Sequence, residues 1–152
     1  MLPRGVSNRM EMKVAAKKLR SGARLPQYAT AGAAGLDMYA CLEEPVSIPP
    51  GAIVLIPTGV AVAIPSGYVG LIRDRSGLAT AGLHTLAGVI DSDYRGEIKL
   101  ALHNAATAAR SIQPGDRVAQ MLILPCPQVK MVEVSDLPAS ERGSGGFGST
   151  GR

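Results

Sequence analysis

Short runs rich in Val and Ile, AIVLIP, VAVAIP, YVGLIR, EIKLALH and RVAQMLIL, alternate along the chain with turn signals. The turns fall at Pro49-Pro50-Gly51, Thr58-Gly59, Pro65-Ser66-Gly67, Tyr94-Arg95-Gly96 and Pro114-Gly115-Asp116. β-Branched residues fit a pleated surface, and Gly and Pro reverse the chain, so runs of about five to eight residues bounded in this way predict strands. The expected fold is all-β, a jelly-roll-like sandwich or barrel. Met12 to Leu19 alternates enough for an edge strand, and its lysines would discourage edge-to-edge aggregation. One short helix is predicted, Ser76 to Ala81. GVIDSDYRGEI, Gly88 to Ile98, reads as a hairpin: Val89 and Ile90 lead into a turn, and an alternating strand returns from Glu97. From about Asp136 the periodicity gives way to Pro, Ser, Gly and Thr. The pattern therefore divides the chain into a loose leader (1–11), a β domain (12–137) and a flexible Gly-rich C-terminal arm (138–152).

Composition narrows the core. Apolar residues make up 46% of the 152 positions, but there is no Trp and a single Phe, so the interior must be aliphatic. The net charge of +4 favours acidic partners such as phosphates without indicating nucleic acid. Cys41 and Cys126 lie far apart in strand-like contexts and read as buried thiols of an intracellular protein, with the cytoplasm the expected compartment and nucleus or organelle left open. The longest apolar stretch, Ala52 to Ile64, is broken at Pro57-Thr58-Gly59, too short for a membrane helix. The first ten residues lack the apolar segment of a secretory signal.

The single Phe, Phe147, sits in ERGSGGFGSTGR. Gly143, Gly145, Gly146 and Gly148 let the backbone turn several N–H groups toward one anion, Ser149 and Thr150 add hydroxyl donors, and Arg142 offers a forked cation. An aromatic ring among them suits stacking on a base. A disordered linker has the same composition. In IRDRSGLA, Arg75, Ser76 and Gly77 fall where a strand ends and a helical turn begins, an arrangement that can hold an anion or simply cap the turn through Ser76. In GVIDSDYRGEI, Asp91 projects from a rigid element and could deprotonate a water, with Tyr94 able to pack on a sugar; an Asp-rich turn is the plainer reading. Asp37, in AAGLDMYA, could contact a Mg²⁺ water shell once a polyphosphate supplies the other ligands. Asp74, Asp93 and Asp116 read as turn or surface carboxylates, and His84 and His103 lack neighbours at zinc-ligand spacing.

In this order, AGLDMYA, DRSGLA, GVIDSDYRGEI, PGDRVAQMLILP and RGSGGFGSTG resemble the five motifs of the trimeric deoxyuridine triphosphatases, from about Met12 to Gly151. The resemblance implies a homotrimer with active sites shared between subunits, hydrolysing dUTP to dUMP and pyrophosphate, in dUMP supply and the exclusion of uracil from DNA. It implies Mg²⁺ held by the phosphates and touched through water by Asp37. It assigns water activation to Asp91 and phosphate contacts to Arg75, Ser76, Gly77, Gln120 and Arg142. Gly88, Val89, Ile90 and the strand around Lys99 would read uracil through the main chain. Tyr94 would pack on deoxyribose, and Phe147, with Gly148, Ser149 and Thr150, would close over the substrate.

Two departures concern the base pocket. Many members carry Asn where Thr85 stands, and the stretch between Arg75 and Asp91 is short for the family. The rival dCTP deaminases share the fold, but Ala101 occupies the place of their glutamate and Thr80 that of an arginine. A nucleotide-binding module without catalysis, or a nucleic-acid binder, is the remaining alternative. Asp91 weighs against the first and the scarcity of aromatics against the second. Neither nucleic acid nor membrane is an expected partner.

Overall fold

The computed structural model describes residues 12–146. It is built of eleven strands and one helix: β1 (Ala15–Lys18), β2 (Leu36–Tyr39), β3 (Val46–Ile48), β4 (Ile53–Pro57), β5 (Val60–Ala63), β6 (Tyr68–Asp74), α1 (Ser76–Thr80), β7 (Leu83–Leu86), β8 (Val89–Ile90), β9 (Lys99–Asn104), β10 (Arg110–Ile112) and β11 (Arg117–Pro125). They form a four-stranded sheet in the order β2-β11-β6-β8, a three-stranded sheet in the order β4-β9-β7, and the pairs β1-β5 and β10-β3. All strand pairings are antiparallel. The all-β expectation holds, with its one short helix.

The core is aliphatic, as the composition requires. Met38, Ile48, Ile56, Ile98, Leu100, Leu102, Ile112, Val118 and Met121 are among its fully buried side chains. The buried polar side chains Asn104 and Thr58 are paired, whereas Arg110 Nε is buried without a hydrogen-bond partner among the described residues. Asn104 donates to the carbonyls of Ile48 and Ala108 and accepts from the Ala106 amide. Thr58 donates to the Ile98 carbonyl and accepts from the Val60 amide. The break at Pro57-Thr58-Gly59 is a turn between β4 and β5, with Gly59 at φ 66. A Cβ there would lie 2.8 Å from the Ala23 methyl and 2.9 Å from Cys41 Sγ, so close packing as well as φ demands glycine.

Three expectations need correction. The predicted edge strand at residues 12–19 shortens to β1, which is exposed along its length and pairs with β5. GVIDSDYRGEI does not close as a hydrogen-bonded hairpin. β8 pairs with β6, Ile90 opposite Gly70 and Val89 opposite Leu71, while β9 pairs with β4 and β7. The segment is a bridge between two sheets. Gly70 makes this possible, because a Cβ there would stand 3.1 Å from the Ile90 Cβ and 2.7 Å from Ile64 Cδ1. Finally, the thiols are free but not both buried: Cys41 is half-buried against the core, and Cys126 is exposed. β11 ends at Pro125, so Cys126 lies just beyond the strand, its amide donating to the Gly67 carbonyl.

After β11, residues 126–146 contain no strand or helix and are exposed almost throughout. Val129, Met131, Val132, Val134 and Leu137 stand open to solvent. No helix among the described residues is long and apolar enough to cross a membrane.

Candidate active site

The sequence-predicted residues fall into two groups. The first collects around Asp37. This carboxylate is buried (6% exposed) on β2, opposite Gln120 of β11, which in turn lies opposite Arg73 of β6. Arg75 Nε approaches Asp37 Oδ1 at 3.4 Å, and Arg117 Nη1 donates to Asp37 Oδ2 at 3.2 Å. Arg75 also donates from Nη1 to the Arg117 carbonyl, 3.0 Å away, closing a ring of contacts. A bulge between Arg117 and Ala119 adjusts the register of β11, which puts Arg117 and Gln120 on the same side of the strand. Gly35 leaves room for Gln120: a Cβ there would be 2.7 Å from its Oε1. Ser76 and Gly77 are exposed at the start of α1. The helix is capped by Arg75 without any side-chain cap, so the Ser76 hydroxyl is not spent as an N-cap.

This donor set suits phosphate. Two guanidinium groups, an amide side chain and the exposed Ser76 lie together, with one carboxylate holding the arginines in place. It does not suit a protein-caged metal, since no group of three His, Cys, Asp or Glu residues that could hold an ion occurs among the described residues. A lone carboxylate does fit a Mg²⁺ ion brought by a polyphosphate, because magnesium keeps waters and takes most other ligands from phosphates. Each Asp37 oxygen retains lone-pair capacity beyond its arginine contact.

The second group surrounds β8. A cavity of about 210 Å³ is lined by Ile72, the run Thr85 to Ile90, and Lys99 to Ala101. Two consecutive left-handed residues, Ala87 (φ 59) and Gly88 (φ 96), turn the chain within its wall. The Gly88 carbonyl is occupied by the Ile72 amide at 2.7 Å, so Gly88 has its N–H left to offer. An adjoining cavity of about 540 Å³ is lined by Val89, Asp91, Ser92, Tyr68 and Gln128, among others. Val89 belongs to both, and Asp91 follows immediately on β8, exposed. In the turn that follows, the Tyr94 amide donates to the Asp91 carbonyl, and its hydroxyl donates to the Glu97 carbonyl. The Tyr94 ring lies over Gly96, where a Cβ would be 2.6 Å from its Cζ.

Asp91 and Arg75 are not together in one chain. β8 runs antiparallel to β6, with Ile90 opposite Gly70, so Asp91 continues toward the Val69 end while Arg75 lies past the other end. At a strand rise of about 3.3 Å per residue, six residues separate them by roughly 20 Å. Neither cavity is lined by Arg75, Ser76, Gly77 or Gln120. Arg142 is also apart. It donates to the Gly145 carbonyl and, among the described residues, bonds to nothing in either group. Phe147, Gly148, Ser149 and Thr150 lie outside the described residues, as does the leader at 1–11.

The comparisons with known proteins decide the family. The dUTPase family matches residues 21–151. The chain belongs to the dUTPase family. It is 43% identical over 147 residues to the deoxyuridine 5'-triphosphate nucleotidohydrolase of Idiomarina loihiensis, covering 94% of this chain and 97% of that one. It is 49% identical over 143 residues to the enzyme of the same name from Hydrogenobaculum, covering 92% and 99%. Among solved structures, a dUTPase of Staphylococcus bacteriophage 80alpha with dUpNHpp aligns at a TM-score of 0.86 and 29% identity, over 92% of this chain and 99% of that one. A mutant dUTPase from phage phi11 of S. aureus, in which the coordination of a structural Mg(II) ion is described, aligns at a TM-score of 0.77 and 27% identity, over 84% and 100%.

Several residues of this dUTPase escaped the sequence reading. Arg117 sits in the quoted PGDRVAQ stretch, and only the structure shows it on Asp37. Asp74, read as a turn or surface carboxylate, is the partly buried last residue of β6 and receives Thr85 and His84. Asp116 is the turn carboxylate expected, accepting from the Gln113 amide at 2.8 Å. His84 has a carboxylate partner after all, Asp74 at 3.1 Å, supplied across space rather than by sequence spacing.

Proposed function

We propose that the chain hydrolyses dUTP to dUMP and pyrophosphate in a homotrimer whose sites are shared between subunits. The observation that carries this reading is the placement of Asp91. It follows directly on β8 and lines the larger cavity, and Val89 of that strand lines both this cavity and the smaller one. A ligand read by backbone donors and acceptors in the smaller cavity would have its next groups beside that carboxylate. Asp91 takes a proton from the attacking water, and the water adds at the α-phosphorus. Gly88, Val89, Ile90 and Lys99 supply the main-chain contacts to uracil, and Tyr94 packs against the deoxyribose.

The other half of the site comes from another chain. The roughly 20 Å between Asp91 and Arg75 along β6 is too long for both to reach one α-phosphate within one subunit. Arg75, Ser76, Gly77 and Gln120 of an adjacent subunit hold the phosphate oxygens, where fixed donors aimed at the developing charge lower the barrier. The arm from residue 138 onward is a flexible cover that brings Arg142 to the terminal phosphate and Phe147 onto uracil, with Gly148, Ser149 and Thr150 at the phosphates. Closing it expels water. The apolar residues that stand open favour such an assembly: Ile53, Leu55, Leu86 and Val89 on and beside the β4-β9-β7 sheet, and Val129 to Leu137 on the arm's approach. Asp37 would hold, through water, a Mg²⁺ ion brought by the phosphates, and the ion would supply charge neutralisation there. The cytoplasm is the proposed compartment.

Pyrophosphate release from a panel of deoxynucleotides, with and without Mg²⁺, tests the activity. Turnover confined to dUTP and dependent on the metal is expected. Ammonia release from dCTP, or nucleotide binding with no turnover of any substrate, would overturn it.

A further inference from the structure

We propose that Asp74 is a positioning residue that sets the phosphate-holding segment and the base-cavity wall at a fixed distance from one another. β6 and β7 belong to different sheets and share no main-chain ladder. At the end of β6, one carboxylate joins them. Asp74 Oδ1 accepts the Thr85 amide at 2.7 Å and the Thr85 hydroxyl, and Oδ2 meets His84 Nδ1 at 3.1 Å. The next residues on the β6 side are Arg75, Ser76 and Gly77; the next on the β7 side are Leu86, Ala87 and Gly88, the wall of the 210 Å³ cavity. Only α1 and a short turn connect the two segments through the chain. α1 has no buried residue and no side-chain cap and rests on the core through the partly buried Leu78, so the Asp74 joint fixes the spacing together with that contact and the bond from the Ile72 amide to the Gly88 carbonyl.

The joint also explains what Thr85 does. A threonine hydroxyl has one proton, and this one is given to Asp74. Thr85 lines the cavity but cannot donate into it, so recognition there rests on the main chain of Gly88 to Ile90 and Lys99. The hydrogen bonds outweigh the cost of partial burial. Burial works to raise the Asp74 pKa, but the Thr85 hydroxyl and amide, then His84 by hydrogen bond and charge, hold it below the ordinary carboxylate value. The joint is therefore ionised at neutral pH.

The kinetic test rests on the dUTP-hydrolysing reading; a second readout does not. Asp74→Ala is expected to lower kcat/KM for dUTP about 10- to 100-fold, since displaced reacting groups cost rates of that order. It should also narrow the preference for dUTP over dCTP. Asp74→Asn keeps an oxygen for both Thr85 donors and is expected to stay within about threefold of wild type, whereas Asp74→Leu, which fills the space without an acceptor, should behave like Asp74→Ala. Adding Thr85→Val to Asp74→Ala should cause little further loss, because the two side chains act as one unit. Independently of any substrate, amide exchange across residues 83–88 should quicken in Asp74→Ala and not in Asp74→Asn. Wild-type kinetics and unchanged dUTP/dCTP preference in Asp74→Ala would overturn the proposal, even with a lowered Tm, and so would unchanged exchange in that segment. A wild-type protein that leaves dUTP intact would sink the functional reading instead, and the exchange measurement would still decide on the joint.

Discussion

At the scale of single residues, two carboxylates do opposite work. Asp91 is exposed and carries no side-chain hydrogen bond among those of the described residues, which suits the proposed role of accepting a proton from water. Asp91→Asn preserves shape and removes the base, so turnover should fall about 10²- to 10⁴-fold while a non-hydrolysable dUTP mimic still binds; unchanged turnover would remove Asp91 from the mechanism. Asp74 is held by Thr85 and His84 instead. Its pKa in the folded chain lies below the unfolded value, so its contribution to stability is complete above about 3.9 and is lost as pH falls through the folded-state pKa. Thermal melts across the acidic range should therefore show wild type losing more stability than Asp74→Asn as pH drops below about 4. Parallel curves would assign that acid sensitivity to other carboxylates. That an exposed carboxylate follows the apolar Val89 and Ile90 was legible in GVIDSDYRGEI. The Asp74 joint was not, because its partner lies eleven residues on, past a helical turn, and a carboxylate beside a turn looks the same whether or not it is paired.

At the scale of elements, β8 decides the geometry of the site. Alternation revealed that strands flank Asp91, but a period of two does not name the neighbouring strand. The neighbour is β6, admitted by the missing side chain of Gly70. Gly70→Val would press against Ile64 and Ile90, costing about 1–3 kcal/mol as overpacking does, and would shift β8 and the cavity wall with it. A lower urea midpoint together with a raised KM for dUTP is the expected result. A lowered midpoint with an unchanged KM would mean that β8 does not position the base. The edge strand was overestimated for a related reason. Lysines and alanines keep the alternation of residues 12–19, but only Ala15–Lys18 finds partners on β5.

At the scale of the whole molecule, one chain holds the parts of the proposed dUTP site but not in one place. The phosphate group around Asp37, Arg75, Arg117 and Gln120 and the Asp91 carboxylate stand at opposite ends of the β6–β8 pairing. The order of the five motifs was readable from residue type alone, whereas their separation depends on strand register, which no local pattern carries. The direct test is complementation between two inactive variants. Asp91→Asn and Arg75→Ala are each unfolded, mixed in equal amounts and refolded together, and dUTP turnover is compared with that of each variant refolded alone. Random assembly pairs an intact Asp91 from one chain with an intact Arg75 from another in about a quarter of sites, so the mixture should regain roughly a quarter of wild-type activity. A mixture no more active than its two components would contradict a site built from more than one subunit.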